Sequence, residues 1–447
     1  MDGWTRRDFL TRAGGVAGAL AVTAGCSSEG DGTDGTDGDR GEGTSADDTN
    51  AMSAPFDPGD WGSVRDQFPL TPDLRHFAAF VLAAHPRPVA DAIQRYRDAL
   101  SVDTHGALEE FGGQEEAVRG AAADYLGVDA GEVALTDSTT MGLGLVYGGL
   151  RLGAGDEVVT TEHDFFATHE SLRLRAERDG TVVRRVSLYD DPSAASVDEI
   201  VSRFVAGITP ATRVAAVTWV HSGTGVKLPI AAMGSALAGV NEGRDEPDRV
   251  LLCVDGVHGF GLEPVGAQDL QCDFLVSGTH KWLFGPRGTG LVWGRPAAWA
   301  RFQPLFASFS VPASDDGGPA PGRWATPGGY HSFEHRWAVD EAFAFHEAIG
   351  RNAIHERTQA QASALKAGLA EIDGVRVVTP SAPELSAGIV CVDIDGQQPS
   401  SLIDPLLEGA IVASMTPYDD AYLRFGPSIV TSPEDVDAAV SALASLA

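Results

Sequence analysis

The stretch FLVSGTHKWLFGPRGTG, residues 274–290, decides how this chain is read. It opens as an apolar strand-like run and closes as a glycine-rich loop. Between them lies Lys281, one of only three lysines in 447 residues, with Lys227 and Lys366. A chain that has nearly abandoned lysine places one between a histidine and a tryptophan. That position asks for a chemical reason.

Outward from this stretch the pattern alternates. The β-rich runs EVALT, DEVVTT, TVVRRVSLY, TRVAAVTWV, RVLLCVD, CDFLVSG and TGLVWG are interleaved with helical windows, except near the end, where strands follow closely. Such alternation predicts a largely parallel sheet with helices on both faces, whose ligands sit at the carboxyl ends of strands. Upstream, PRPVADAIQRYRDAL carries Val89, Ile93, Tyr96 and Leu100 at helical spacing, and GGQEEAVRGAAADYLGV reads as a second helix. After about residue 331 a long helical region leads into VRVVT, AGIVCVDI, GAIVASMTP and YLRFGP, the pattern of a smaller α+β domain. The expected organisation is a leader (1–26), an acidic disordered linker (27–60), an N-terminal segment packing on the small domain (61–100), a large α/β domain with a mostly parallel seven-stranded sheet (101–330) and a small C-terminal domain (331–447).

The leader WTRRDFLTRAGGVAGALAVTAGC resembles a twin-arginine export signal ending in a lipoprotein cleavage box, with Arg6 and Arg7 as the pair and Cys26 as the residue to be lipidated. Its apolar run is short for a membrane-spanning helix. An anchor outside the cell membrane is therefore expected, with an uncleaved disordered leader as the alternative. The chain carries 63 acidic against 32 basic residues, a formal net charge of −31. That field repels phosphodiester backbones, so nucleic acid is excluded as a partner. The acid excess continues into the folding part and points to adaptation to high salt, where screening relieves self-repulsion. Circular dichroism across a salt titration should show folding lost as salt is withdrawn; equal structure without salt would remove this explanation. Four cysteines, Cys26, Cys253, Cys272 and Cys391, show no zinc or redox spacing, no metal site is expected, and the last three read as small buried hydrophobes.

Three loops converge on one chemistry. RVLLCVDGVHGFG places Asp255 at a strand end, followed by His258; TDSTTMGLGL places Ser138, Thr139 and Thr140 before a helix; the opening stretch supplies Lys281. Pyridoxal phosphate needs an amine for its Schiff base, a carboxylate to hold a proton on the pyridine nitrogen, and donors at a helix N-terminus for its phosphate. Taken singly, Asp255 is a turn residue, the Ser-Thr-Thr run an N-cap and Lys281 a surface lysine. Together they favour the cofactor.

DGVHGFG followed by GTHKWLFGPRGTG resembles the class V aminotransferase group of fold-type I enzymes, near its isopenicillin N epimerase-like branch, from about Phe77 to the C-terminus. The resemblance implies Lys281 as the aldimine lysine, Asp255 as the pyridinium partner and His258 near the phenolic oxygen. It implies Ser138, Thr139, Thr279 and His280 on the phosphate side. TTEHDFFATH resembles the segment whose histidine stacks on the ring, implying His163, with Phe165 or Phe166 as the fallback. WATPGG resembles a loop reaching the partner subunit's phosphate, implying Thr326 acting in trans and a homodimer. AYLRFGPSIVTSPEDVD resembles the strand whose arginine grips the substrate carboxylate, implying Arg424. In WVHSGTGVKLP, Ser222 stands where several relatives carry asparagine, and the resemblance implies it as the second substrate contact. Lys227 reads as structural, and Arg287 faces substrate or braces its loop.

The expected substrate is an amino acid, and transamination, racemisation and elimination stay open. Cysteine desulfuration is not expected, because IVASMTPYDDAYLR, residues 411–424, holds no cysteine. No G-x-S-x-G elbow or Walker A lysine supports a hydrolase or a nucleotide site. The rival from another class is a lipid-anchored binding protein that has lost catalysis.

Overall fold

A computed structural model describes residues 56–309 and 320–447. The leader and Cys26 lie outside the described residues. At the carboxyl end of the expected linker (27–60), Phe56 stacks on Phe345 at 5.4 Å and the Asp60 carboxylate caps the helix Trp61–Arg65.

Thirteen strands are described: β1 (Arg75–His76), β2 (Val133–Thr136), β3 (Glu157–Thr161), β4 (Val182–Val186), β5 (Thr212–Thr218), β6 (Leu251–Asp255), β7 (Phe274–Gly278), β8 (Gly290–Gly294), β9 (Val375–Val377), β10 (Val390–Ile394), β11 (Ile411–Val412), β12 (Ser414–Met415) and β13 (Leu423–Phe425). The large sheet has the order β2-β8-β7-β6-β5-β3-β4. Only β8 runs against its neighbours β7 and β2. The other pairings are parallel, so the strands expected from the seven apolar runs form one mostly parallel sheet. Every residue of β2, β3, β6, β7 and β8 is buried, as both-face coverage by helices requires.

The helix Thr139–Gly149 packs very close to this sheet. A Cβ on Gly142 would meet Val276 Cγ1 at 2.5 Å, so glycine lets the helix bring its first turn to the end of β7. Six of the seven strands therefore deliver their carboxyl ends, and one helix N-terminus, to a common rim.

The small sheet, β12-β13-β10-β9, is antiparallel, with Phe425, Leu423, Val390 and Val392 in a core shared with Leu365 and Leu443. The β1 strand pairs in parallel with β11, and Ala78 bridges Gly426. That pairing carries Phe80 to the rim, where a Cβ on Gly426 would strike its ring at 2.2 Å. No described helix is long and apolar enough to cross a membrane.

Candidate active site

The rim encloses a cavity of about 310 Å³ lined by Lys281, Asp255, His258, Arg424, Phe80 and the Ser138–Thr140 turn, among others. Lys281 follows β7, Asp255 ends β6 and Arg424 lies on β13, so both sheets build the site.

Burial governs its electrostatics. It pushes the Lys281 amine down to about 8, against the pull of Asp255 and with the Arg424 charge adding to it. Burial pushes the Asp255 carboxyl up to about 6, against the bond from the Val257 N–H to Oδ1 (3.1 Å) and the nearby amine. A basic ring nitrogen facing this carboxylate would restore its ionised form. For the lysine, a lowered value means a neutral, nucleophilic amine at lower pH. Capture of added pyridoxal phosphate, read from the visible band, should therefore rise with pH through a midpoint near 8; a midpoint near 10.5 would contradict the burial.

His258 Nε2 lies 3.2 Å from Lys281 Nζ, and Trp282 Nε1–H donates to His258 Nδ1 at 3.3 Å. Burial holds this imidazole well below its ordinary range, so it is neutral. An indole nitrogen only donates, so the ring proton sits on Nε2 and points at the lysine.

Arg424 is buried, with Nη1 donating to the Ser222 carbonyl (3.0 Å) and Nη2 to the Met415 carbonyl (2.8 Å). Its guanidinium stands 5.0 Å over the Phe80 ring, and its Nε has no hydrogen-bond partner among the described residues. Among the described residues no carboxylate pairs with it. A buried guanidinium left without a counter-ion is matched to an anionic ligand. Ser222 lines the cavity and its hydroxyl bonds to the Tyr418 hydroxyl at 2.7 Å.

The phosphate side is built as a helix N-terminus should be. Ser138 Oγ accepts from the Met141 N–H at 3.1 Å, and Thr139 Oγ1 accepts from the Gly278 N–H at 2.7 Å. His280 Nδ1 is buried beside this turn without a partner among the described residues, and a Cβ on Gly278 would close the gap, meeting His280 Cε1 at 2.9 Å. An orphaned ring nitrogen, a helix N-terminus, a buried amine and a buried carboxylate on one cavity fit pyridoxal phosphate.

Three expected residues stand elsewhere. The His163 ring stacks on Tyr189 (4.3 Å, 8° between planes) and lines a neighbouring chamber, while Phe165 reaches the lysine cavity. Tyr189 is pinned by His221 Nδ1 (2.8 Å) and Thr224 Oγ1 (2.9 Å), forming a flat slot that takes His163. The Thr279 hydroxyl bonds to Thr289 Oγ1 and the Pro286 carbonyl, closing the glycine-rich loop from within. Thr326 Oγ1 accepts from the Leu135 N–H (3.1 Å) and donates to the Gly322 carbonyl (2.8 Å), so that hydroxyl is committed inside its own chain. Arg287 donates to the Ala83 carbonyl at 3.4 Å and braces the loop, and Lys227 pairs with Glu263 at 3.0 Å. Phe80 and Tyr418 are site features that no periodicity or motif marks; Trp282 stands in the lysine motif, but the motif assigns no role to its N–H.

Comparison with known proteins agrees with this geometry. The family model described as aminotransferase class-V matches residues 82–415. Isopenicillin N epimerase of Streptomyces clavuligerus is 27% identical over 403 residues, 87% of this chain and 98% of its own. A cysteine desulfurase of Yersinia pestis (strain Pestoides F) is 25% identical over 411 residues, 85% of this chain and 96% of its own. The solved complex of the cystine C–S lyase C-DES with its product cysteine persulfide superposes with a TM-score of 0.78 at 20% identity, covering 85% of this chain and 99% of that one. At that identity the likeness is one of fold. The expectation that the chain is not a cysteine desulfurase is overturned: desulfurases align along nearly their whole length, so a missing cysteine at 411–424 does not separate them from it.

Proposed function

Because the chain belongs to the class V aminotransferase family, we propose that it acts at the α-carbon of an amino acid as an aminotransferase-like enzyme. The observation that carries this is the meeting of Lys281, Asp255 and an unpaired Arg424 on one cavity. Its cofactor is pyridoxal 5′-phosphate, which supplies an aldehyde and an electron sink when bound.

The chain's own residues divide the remaining work. Arg424 offers two parallel N–H bonds to the substrate carboxylate and so fixes which α-bond faces Lys281. Lys281, which burial makes easier to deprotonate, takes the α-proton as general base. His258 donates from Nε2 towards that amine, orienting its lone pair. With the cofactor bound, Asp255 would keep a proton at the ring nitrogen, and Phe165, which lines the same cavity, would cover the ring face in place of His163.

Epimerisation is the second reading, favoured by the likeness to isopenicillin N epimerase over nearly that protein's whole length. Incubating amino acids in heavy water with and without a keto acid tests both. α-Deuteration with keto-acid-dependent amino transfer supports the aminotransferase, deuteration without transfer supports the epimerase, and neither supports a non-catalytic binding protein.

We also infer export by the twin-arginine route and lipid anchoring at Cys26, on the strength of Arg6, Arg7 and TAGC. Homodimerisation, common in this family, and a salt-adapted surface belong to the same proposal.

A further inference from the structure

Lys281 and Trp282 are consecutive, yet their side chains end on the two nitrogens of one imidazole. Lys281 Nζ lies 3.2 Å from His258 Nε2, and the Trp282 Nε1–H donates to His258 Nδ1 at 3.3 Å. The turn that allows this is a strained one. Phe284 sits at φ +56°, where a bulky side chain is rarely tolerated, and its N–H closes on the Lys281 carbonyl at 3.1 Å.

The indole is fixed from two further sides. Phe80 stacks on it (6.2 Å between centroids, 18° between planes) and meets the imidazole edge-on (6.1 Å, 65°). Gly388 brings the backbone before β10 against its far edge, since a Cβ there would strike Trp282 Cη2 at 2.5 Å. Trp282 and His258 are 3% and 4% exposed, so bulk solvent does not compete for Nδ1.

The consequence is a choice of proton position. An indole nitrogen only donates, so Nδ1 is the acceptor and the neutral ring carries its proton on Nε2. That N–H faces Lys281. A neutral amine meets it with a lone pair; an ammonium, which has only donors, meets it donor against donor. The indole therefore acts on the amine through the ring between them. Other groups act on the same pair directly. Asp255 draws the amine towards its charged form and Arg424 opposes it, while Arg424 and His280, itself held neutral by burial, face the imidazole.

We propose that Trp282 is a positioning residue for the proton: by holding His258 as the Nε2–H tautomer, it favours the neutral, nucleophilic form of the Lys281 amine over the ammonium. This rests on the role given to Lys281 above.

Trp282→Phe keeps an aromatic ring against Phe80 and removes the N–H. The midpoint pH for capture of pyridoxal phosphate by the full chain, read from the visible band, should rise by about one unit from its parent value near 8. The reason is that a ring free to carry its proton on Nδ1 offers the ammonium an acceptor. In a His258→Leu background the same substitution should leave the midpoint where it was. An equal rise there would trace the effect to water entering beside the smaller ring and overturn the inference, as would an unmoved midpoint in the single variant. A second measurement does not need Trp282→Phe to fold. Nitrogen-15 spectra of the histidine-labelled parent, with His258 identified by its loss in His258→Leu, should show the ring proton on Nε2. A proton on Nδ1 overturns the inference and leaves the cofactor chemistry standing. A parent chain that takes up no pyridoxal phosphate overturns both.

Discussion

Lys281→Ala should abolish both turnover and covalent cofactor. Borohydride reduction of the wild-type holoenzyme is expected to fix one cofactor per chain, on the peptide holding Lys281, and none on the variant. A lowered amine value alone does not single out this residue, because burial brings Lys366 to about 8 as well. Geometry does. Lys366 Nζ spends its three donors on the Pro380 carbonyl (2.7 Å), the Ser381 carbonyl (3.2 Å) and the Ser386 hydroxyl (2.7 Å). Lys227 is locked to Glu263. Lys281 alone of the three lines the cavity. Loss of the general base costs about 10²- to 10⁴-fold, and loss of the covalent attachment adds to that. Unchanged melting of the variant would separate this effect from misfolding. A variant that keeps colour and turnover would remove the basis of the functional assignment.

Asp255→Asn should lower kcat by about 10²- to 10⁴-fold with little change in KM. The substitution keeps size and the acceptor for the Val257 N–H, so it removes only the charge. Stripping one partner from a buried charge pair costs about 3–5 kcal/mol, which sets the size of the loss. Substrate affinity rests on Arg424 and should hold. Stability provides the opposite sign. The Asp255 carboxyl is raised in the fold, to about 6, so the folded chain holds its proton more tightly than the unfolded chain. Without cofactor, ionised Asp255 is therefore a burden above that pH, and the variant should melt no lower than the parent near pH 7.5. A kcat within about tenfold of the parent would show that the ring nitrogen is not governed from this position.

The central sheet was legible because of how it is covered. Strands buried on both faces must be apolar along their whole length, and LLCVD, FLVSG and GLVWG announce themselves as such. Lys281 and Asp255 were legible for a related reason: each is a polar residue set where a buried strand ends, and one belongs to a type the chain hardly uses. His163 and Phe165 were not separable by inspection. Two flat side chains two residues apart leave a turn in different directions, and the slot beside Tyr189, itself fixed from residues 221 and 224, decides which goes where. Thr279 and Thr326 look like ligand hydroxyls in one dimension, but their neighbours in space claim them first.

Local patterning by itself determined the mostly parallel sheet, the lysine and the carboxylate opposite it, since burial period and residue scarcity are properties of the chain. Only tertiary structure decided the reversal of β8, the arrival of Phe80 under Arg424 and the Ser222–Tyr418 hydrogen bond. That bond joins residues 196 positions apart, and Phe80 meets Arg424 from the far end of the described chain. Such contacts are set by how two sheets pack against each other, which no local pattern encodes.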